Sequence, residues 1–248
     1  MYNTIAIISD IHSNSTALRA VLSDIKKRGA DLIVNLGDSL FGPIDPVGTA
    51  ELLRELENAV HIMGNCDEAL LQEASESPTF KFVKPLLAAE VLQWIEEFHK
   101  TWIFEDLLFC HGTPFSNSIY LLEQLENGKV GYKKGIVLAA ELNEIKQSYI
   151  FCGHSHQVKS VYLPDGKLVI NVGSVGLPAY YEEEPQSHAM ESLSPYADYV
   201  VCSRTAEGEA WRIEHVMLPY DWNEAASIAE SNGRHDYAVA IRTGRALV

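Results

Sequence analysis

Five apolar runs in the first two-thirds of the chain each stop at a histidine, aspartate or asparagine. No other feature of the sequence constrains the fold as strongly. TIAIIS (4–9) leads into Asp10-Ile11-His12, LIVNL (32–36) into Gly37-Asp38, and AVHIM (59–63) into Gly64-Asn65. LLFC (107–110) leads into His111-Gly112, and YIFC (149–152) into Gly153-His154-Ser155-His156. The runs are short and rich in β-branched and aromatic residues, so they read as strands, and KLVIN (167–171) joins them. Between them lies helical periodicity. Ala17, Leu18, Val21, Leu22 and Ile25 share a face in 14–28, as do Leu87, Val91, Ile95 and Phe98 in 84–98. Helices are also expected over 46–57, 117–127 and 134–146. Strand and helix in alternation predict an α/β layered fold with largely parallel strands. In such sheets the C-terminal strand ends face one crevice, where ligands bind. The glycines are expected to turn the backbone sharply just past each strand.

After Pro178 the pattern changes. YYEEEPQSH (180–188) reads as a polar loop that stays in solvent, ADYVVCS (197–203) and EAWRIEHVML (209–218) as strands, and 221–230 and 234–243 as short helices. No segment is long and polar enough to serve as a linker, so residues 1–248 are expected to form one domain, with core motifs over 4–178 and a variable part over 179–248. The formal net charge of −15 opposes binding of long nucleic acids, which proteins hold by neutralising phosphates. A small phosphorylated substrate stays compatible if cations in the site supply positive charge. The start MYNTIAIISD lacks the basic region of a signal peptide, and no run approaches the roughly 18 apolar residues of a membrane span, so no membrane partner is expected. Four scattered cysteines without a C-x-x-C pair fit a reduced, cytoplasmic compartment. A homo-oligomer is left open.

Carboxylate, imidazole and carboxamide groups together suit divalent transition metals, and the near absence of thiols argues against a structural zinc. Asp10 and His12 are two residues apart, as are His154 and His156, so an extended backbone would aim each pair at one face. Seven or eight candidate ligands exceed what one cation needs. Two cations roughly 3.5–4 Å apart, bridged by a carboxylate and a water, would use them all.

SDIHSN (9–14), GDSLFGP (37–43), GNCDEA (64–69), CHGTP (110–114), GHSH (153–156) and NVGSVG (171–176) resemble the motifs of the calcineurin-like metallophosphoesterases. Within that superfamily they look like the small bacterial and archaeal phosphodiesterase branch. The resemblance implies a four-layer αββα sandwich with a dimetal site at the strand ends. It implies one metal on Asp10, His12, Asp38 and His156, and another on Asp38, Asn65, His111 and His154, with Asp38 bridging. It also implies Mn, with Fe, Zn, Ni or Co as alternatives. The implied activity is hydrolysis of a small phosphodiester or nucleotide-type phosphoanhydride by a metal-bridging hydroxide, with Asp38, Asn65, Cys66, Asp67 and His111 at the reacting centre. A phosphomonoesterase and a non-catalytic scaffold with the same fold are the alternatives. Asn14 and Ser174 are either phosphate-side or supporting residues, or simply a helix N-terminal residue and a turn hydroxyl.

Two departures from the wider superfamily bear on mechanism. Many members have histidine where this chain has Cys66, followed by an acid that orients it, here Asp67. A free thiol, with pKa about 8.5, is a weaker proton donor than an imidazolium. Cys66 is expected to be a packing residue near the site before a proton donor, and a metal ligand last. The segment SLFGPIDP (39–46) also lacks the arginine that phosphoprotein phosphatases carry there, which leaves the metals to bind the anion. The remaining histidines (61, 99, 188, 215 and 235) show no ligand spacing and are expected to be structural, with His188 the one to test for substrate contact.

Overall fold

The structure, a computed structural model, describes residues 2–184, 186–206 and 208–247. In chain order its strands are β1 (Thr4–Ile8), β2 (Leu32–Asn35), β3 (Ala59–His61), β4 (Thr101–Phe104), β5 (Leu107–Cys110), β6 (Glu123–Glu126) and β7 (Lys129–Tyr132). They continue with β8 (Tyr149–Cys152), β9 (Lys159–Tyr162), β10 (Leu168–Asn171), β11 (Ala179–Glu182), β12 (His188–Glu191), β13 (Ala197–Ser203) and β14 (Arg212–Leu218). The helices are α1 (Ser15–Arg28), α2 (Pro46–Arg54), α3 (Asn65–Leu70), α4 (Pro78–Val83), α5 (Ala89–Glu96), α6 (Gly135–Glu141), α7 (Trp222–Ser231) and α8 (His235–Thr243).

Two five-stranded sheets form the centre, ordered β14-β13-β1-β2-β3 and β4-β5-β8-β10-β9. Their inner faces bury Ile5, Ile7, Val34, Phe109, Phe151 and Ile170 against one another. The period-2 alternation of β1 sends Ala6 and Ile8 to the opposite face, against Leu18, Val21 and Ile25 of α1. On the far side Leu108, Ile150 and Val169 turn outward onto Leu138 of α6. The result is the αββα sandwich expected from the motifs, because each central strand is apolar on both faces and must be covered twice.

Parallel pairing holds over one half of the first sheet, out to its edge strand β3, and over the middle of the second. β1, β2 and β3 are mutually parallel, as are β5, β8 and β10, while β13, β14, β4 and β9 run antiparallel. Residues 117–127 are not a helix. Asn127 and Gly128 both adopt positive φ (53° and 71°), the geometry of a two-residue hairpin turn, and they pair β6 with β7. The helix expected over 84–98 begins only at Ala89. Pro85 sits in a 3-10 turn over 84–86 that separates α5 from α4. The presumed loop 180–188 contributes to a hairpin, β11 with β12; its Pro185 lies outside the described residues. Among the described residues, no helix is long and apolar enough to cross a membrane.

Candidate metal centre

The five strand ends converge as the alternation predicted. Residues after β1 and β8 place His156 Nε2 3.2 Å from Asp10 Oδ1, and the Nε2 atoms of His12 and His156 3.3 Å apart. After β2 and β5, His111 Nε2 lies 3.5 Å from Asp38 Oδ2 and 3.0 Å from Asn65 Oδ1. Asp38 Oδ2 is also 3.8 Å from His12 Nε2. Ligand atoms of Asp10, His12 and His156 lie within 4.8 Å of one another, and so do those of Asp38, His111 and His154. A third such group, His12, Asp38 and Cys66, links the two. Asp38 therefore faces both halves of the cluster.

The histidines show why this cluster fits cations. Nδ1 of His12 donates to Phe41 O (2.8 Å), Nδ1 of His111 to Leu36 O (3.0 Å), and Nδ1 of His156 to Leu177 O (2.5 Å). A neutral imidazole protonated on Nδ1 presents the Nε2 lone pair, here aimed at carboxylates and at another Nε2. Those lone pairs repel unless a proton or a metal cation lies between them, and an outer Nδ1–H bond to a carbonyl is the usual support of a metal-bound histidine. Among the described residues, Asp10 Oδ1 is buried without a hydrogen-bond donor, its near neighbour being the His156 Nε2 at 3.2 Å, as a carboxylate oxygen reserved for a metal would be.

The backbone at the site corrects one expectation. Asp10, His12, Ser13, Asp38, His154 and His156 all adopt positive φ, from 47° to 65°. The D-x-H and H-x-H pairs are thus not extended. Each residue turns in the left-handed region, which costs about 1–3 kcal/mol and persists only where surrounding contacts enforce it. Interloop bonds supply that enforcement: Asp10 N–H to Gly37 O (3.0 Å), His12 N–H to Asp38 O (2.9 Å) and Ser13 N–H to Ser39 O (3.0 Å). The glycines mostly serve close approach rather than turning. A Cβ on Gly64 would stand 2.1 Å from Asp38 Oδ1, and one on Gly153 2.6 Å from Asp10 Oδ2.

Asp67 is a positioning residue rather than a reacting one. It is fully buried and does not line the cavity. Its carboxylate accepts from the backbone N–H groups of Asp38 (2.7 Å), Ser39 (2.9 Å) and Gly64 (3.1 Å). Cys66 lines the cavity, donates its backbone N–H to Asp38 Oδ1 (2.9 Å) and accepts from Asn65 Nδ2 on its sulfur (3.7 Å). Asn14 caps α1 through Ala17 N–H and donates to Gly176 O, and the Ser174 hydroxyl donates to Asp10 O. Both support the loops and neither lines the cavity.

Charge in the cluster is strongly coupled. Burial would raise the Asp38 carboxyl, but the imidazoles of His111, His12 and His154 hold it well below the usual carboxylate range. Asp10 is held down likewise, burial being outweighed by His156. Burial opposes a proton on His111, yet the Asp38 charge raises it to about 9. Burial and the His111 charge push His154 down to about 3. Burial and the Asp38 charge push the Cys66 thiol up. The same two causes raise Asp67 to about 7, against the pull of its backbone N–H bonds.

A cavity of about 280 Å³ opens over this cluster, and most of its wall was not legible as functional sequence. Tyr120 stacks on His154 (4.6 Å between ring centroids) and Tyr180 meets His156 edge-on (4.6 Å). Their hydroxyls are 2.8 Å apart; Tyr180 donates to His154 O, and Tyr120 bonds His188 Nε2. His188, 3% exposed, acts through Tyr120 and does not line the cavity. Tyr180, Tyr181 and Glu182 do line it, so this part of the acidic segment is a strand at the cavity rim rather than a loop, although Tyr181 and Glu182 stay exposed as expected. Arg234 and Tyr237 also line the cavity. Only the aromatic pair at 180–181 beside the GSVG motif hinted at this in the sequence.

A sequence profile of the calcineurin-like phosphoesterase superfamily domain matches residues 4–193. An uncharacterised protein of Methanocaldococcus jannaschii is 33% identical over 199 residues, covering 70% of this chain and 76% of that protein. The crystal structure of a metallophosphoesterase from Sphaerobacter thermophilus superposes with a TM-score of 0.76 at 24% identity, over 98% of this chain and 100% of that one.

Proposed function

We propose that this chain, which belongs to the calcineurin-like phosphoesterase superfamily and is a metal-dependent phosphoesterase, hydrolyses a small phosphodiester or nucleotide-type phosphoanhydride at two divalent cations. One observation carries the reading: three histidines commit Nδ1 to backbone carbonyls, and two of them, His156 and His111, turn Nε2 toward buried Asp10 and Asp38. Asp10, His12, Asp38 and His156 would hold one cation, and Asp38, Asn65, His111 and His154 the other. Mn is the first choice, with Fe, Zn, Ni or Co as alternatives. Such cations supply Lewis-acid chemistry, activating water near neutral pH and neutralising phosphate oxygens.

The protein's own groups do the rest. Asp67 fixes the Asp38 loop through three backbone N–H groups, and the Cys66 N–H orients the Asp38 carboxylate. The stacked Tyr120 and the Tyr180 hydroxyl hold the 154–156 loop. The Cys66 thiol stays protonated and donates weakly, which suits substrates whose leaving group departs as a stable anion. The lack of an arginine in SLFGPIDP (39–46) disfavours a phosphoprotein substrate.

Metal analysis of the purified protein, then assay with paired chromogenic diester and monoester substrates and added Mn, tests this. Two ions per chain and faster diester turnover are expected. Fewer than one ion after reconstitution, with neither substrate hydrolysed, would sink it. Asp38→Asn is expected to lower kcat/KM by at least about 100-fold, and normal turnover in that variant would defeat the ligand assignment.

A further inference from the structure

The cavity extends beyond the metal-ligand cluster, and its outer wall carries a cation with no assigned role. Arg234 is the only Lys or Arg among the described residues lining it, in a chain of net charge −15. It lies beyond residues 4–193, the part that the superfamily profile matches.

Arg234 is held like a binding group rather than a surface charge. Its side chain is 21% exposed. Nε and Nη2 donate to the two Asp236 carboxylate oxygens at 2.9 and 2.7 Å, and Nη1 donates to Thr79 Oγ1 of α4. The guanidinium lies over the Tyr237 ring at 4.4 Å. Asn232 donates to Pro43 O, which ties the α7–α8 turn to the loop that follows Asp38. The arginine is therefore fixed relative to the metal-ligand loops. Each Nη nitrogen carries a second hydrogen, and Asp236 already balances the net charge. What the pair offers is directed N–H donors, not long-range attraction.

We propose that Arg234, braced by Asp236, Thr79 and Tyr237, binds a second phosphate of the substrate, one link beyond the scissile phosphorus, so that the substrate class is a phosphoanhydride of the nucleoside di- or polyphosphate type. The proposal rests on the cavity being the phosphoesterase site. In the reaction, water oxygen bonds to the scissile phosphorus and the bridging P–O bond breaks. The electron pair leaves with the phosphate on Arg234, and the proton of the water passes to solvent. A departing phosphate, whose second pKa is near 6, needs its charge stabilised more than it needs a proton. That requirement matches a site in which an arginine lines the wall and the group beside Asp38 is a thiol.

The test compares wild type, Arg234→Met and Arg234→Lys, each Mn-loaded and checked for fold by circular dichroism. Turnover is read on adenosine 5′-diphosphate and on bis(p-nitrophenyl) phosphate, which has no second phosphate. Affinity is read by calorimetry with non-hydrolysable α,β-methylene adenosine diphosphate. Loss of a charge-assisted bond predicts that the anhydride-to-diester ratio of kcat/KM falls by about tenfold or more in Arg234→Met. Kd for the methylene probe should rise by a similar factor, with Arg234→Lys intermediate. Equal losses on both substrates, or a probe Kd indifferent to residue 234, would overturn the proposal. If wild type hydrolyses neither substrate but binds the probe through Arg234, the subsite stands and the phosphoesterase reading falls. Diester turnover with Arg234-independent probe binding would instead remove the subsite and leave the phosphoesterase reading intact.

Discussion

Asp67 shows how one buried side chain can govern a site it never enters. Its two oxygens collect the backbone N–H groups of Asp38, Ser39 and Gly64, so the left-handed turn at Asp38 is stabilised by an acceptor placed behind it. Removing that acceptor leaves buried donors unpaired at about 1–3 kcal/mol each. Asp67→Ala is therefore expected to lose about 3–5 kcal/mol in urea unfolding, with weaker metal binding; a loss under about 1 kcal/mol would mean the loop holds itself. Cys66 behaves differently. Its backbone N–H serves Asp38 while its protonated thiol, beside the cavity, meets Asp38 and accepts from Asn65 Nδ2. Cys66→Ser should keep both metals and its rate within a few-fold, and a collapse of turnover with metals intact would give the thiol a chemical role. At this scale the ligand types were legible in the sequence and their support was not. A motif shows that an aspartate follows a strand, whereas its φ of 54° depends on contacts 29 residues away.

Among the elements, β1, β2, β5, β8 and β10 were readable because each is a short apolar run with a sharp polar end. The edge strands β4 and β9 and the hairpins β6–β7 and β11–β12 were not, since many of their residues face solvent and their runs are short. Yet the β11–β12 hairpin shapes the site. Three of the histidines proposed as ligands anchor Nδ1 on a carbonyl, whereas the His154 ring has no hydrogen bond among the described residues and is seated by the Tyr120 ring. Tyr120 is in turn held by Tyr180 of β11 and His188 of β12. Tyr120→Ala is expected to weaken the cation on Asp38, Asn65, His111 and His154 by about 10–100-fold and to spare the other. Calorimetric Mn titration resolves the two, and equal weakening of both would contradict this seat.

For the molecule as a whole, the proposed metal site couples stability to metal loading. In the metal-free protein His111 is held up to about 9, above its unfolded value near 6.5. The proton it retains contributes stability that is complete below about pH 6.5 and lost as pH rises through about 9. A cation on Nε2 replaces that proton and removes the loss. The difference in Tm between Mn-loaded and EDTA-treated protein should therefore widen from about pH 6.5 to about 9; a constant difference would show that His111 does not meet the metal. At this scale the chain order specified an α/β layered fold and the convergence of the candidate ligands at the strand ends, and the motif resemblance added the αββα sandwich. Apolar strands must be covered on both faces, and parallel strands bring their C-terminal ends together. Which residues wall the cavity was settled only by folding. Tyr120, Tyr180, Arg234 and Tyr237 are brought to it by helix and hairpin packing between segments far apart in the chain, and no local pattern records where such a segment will dock.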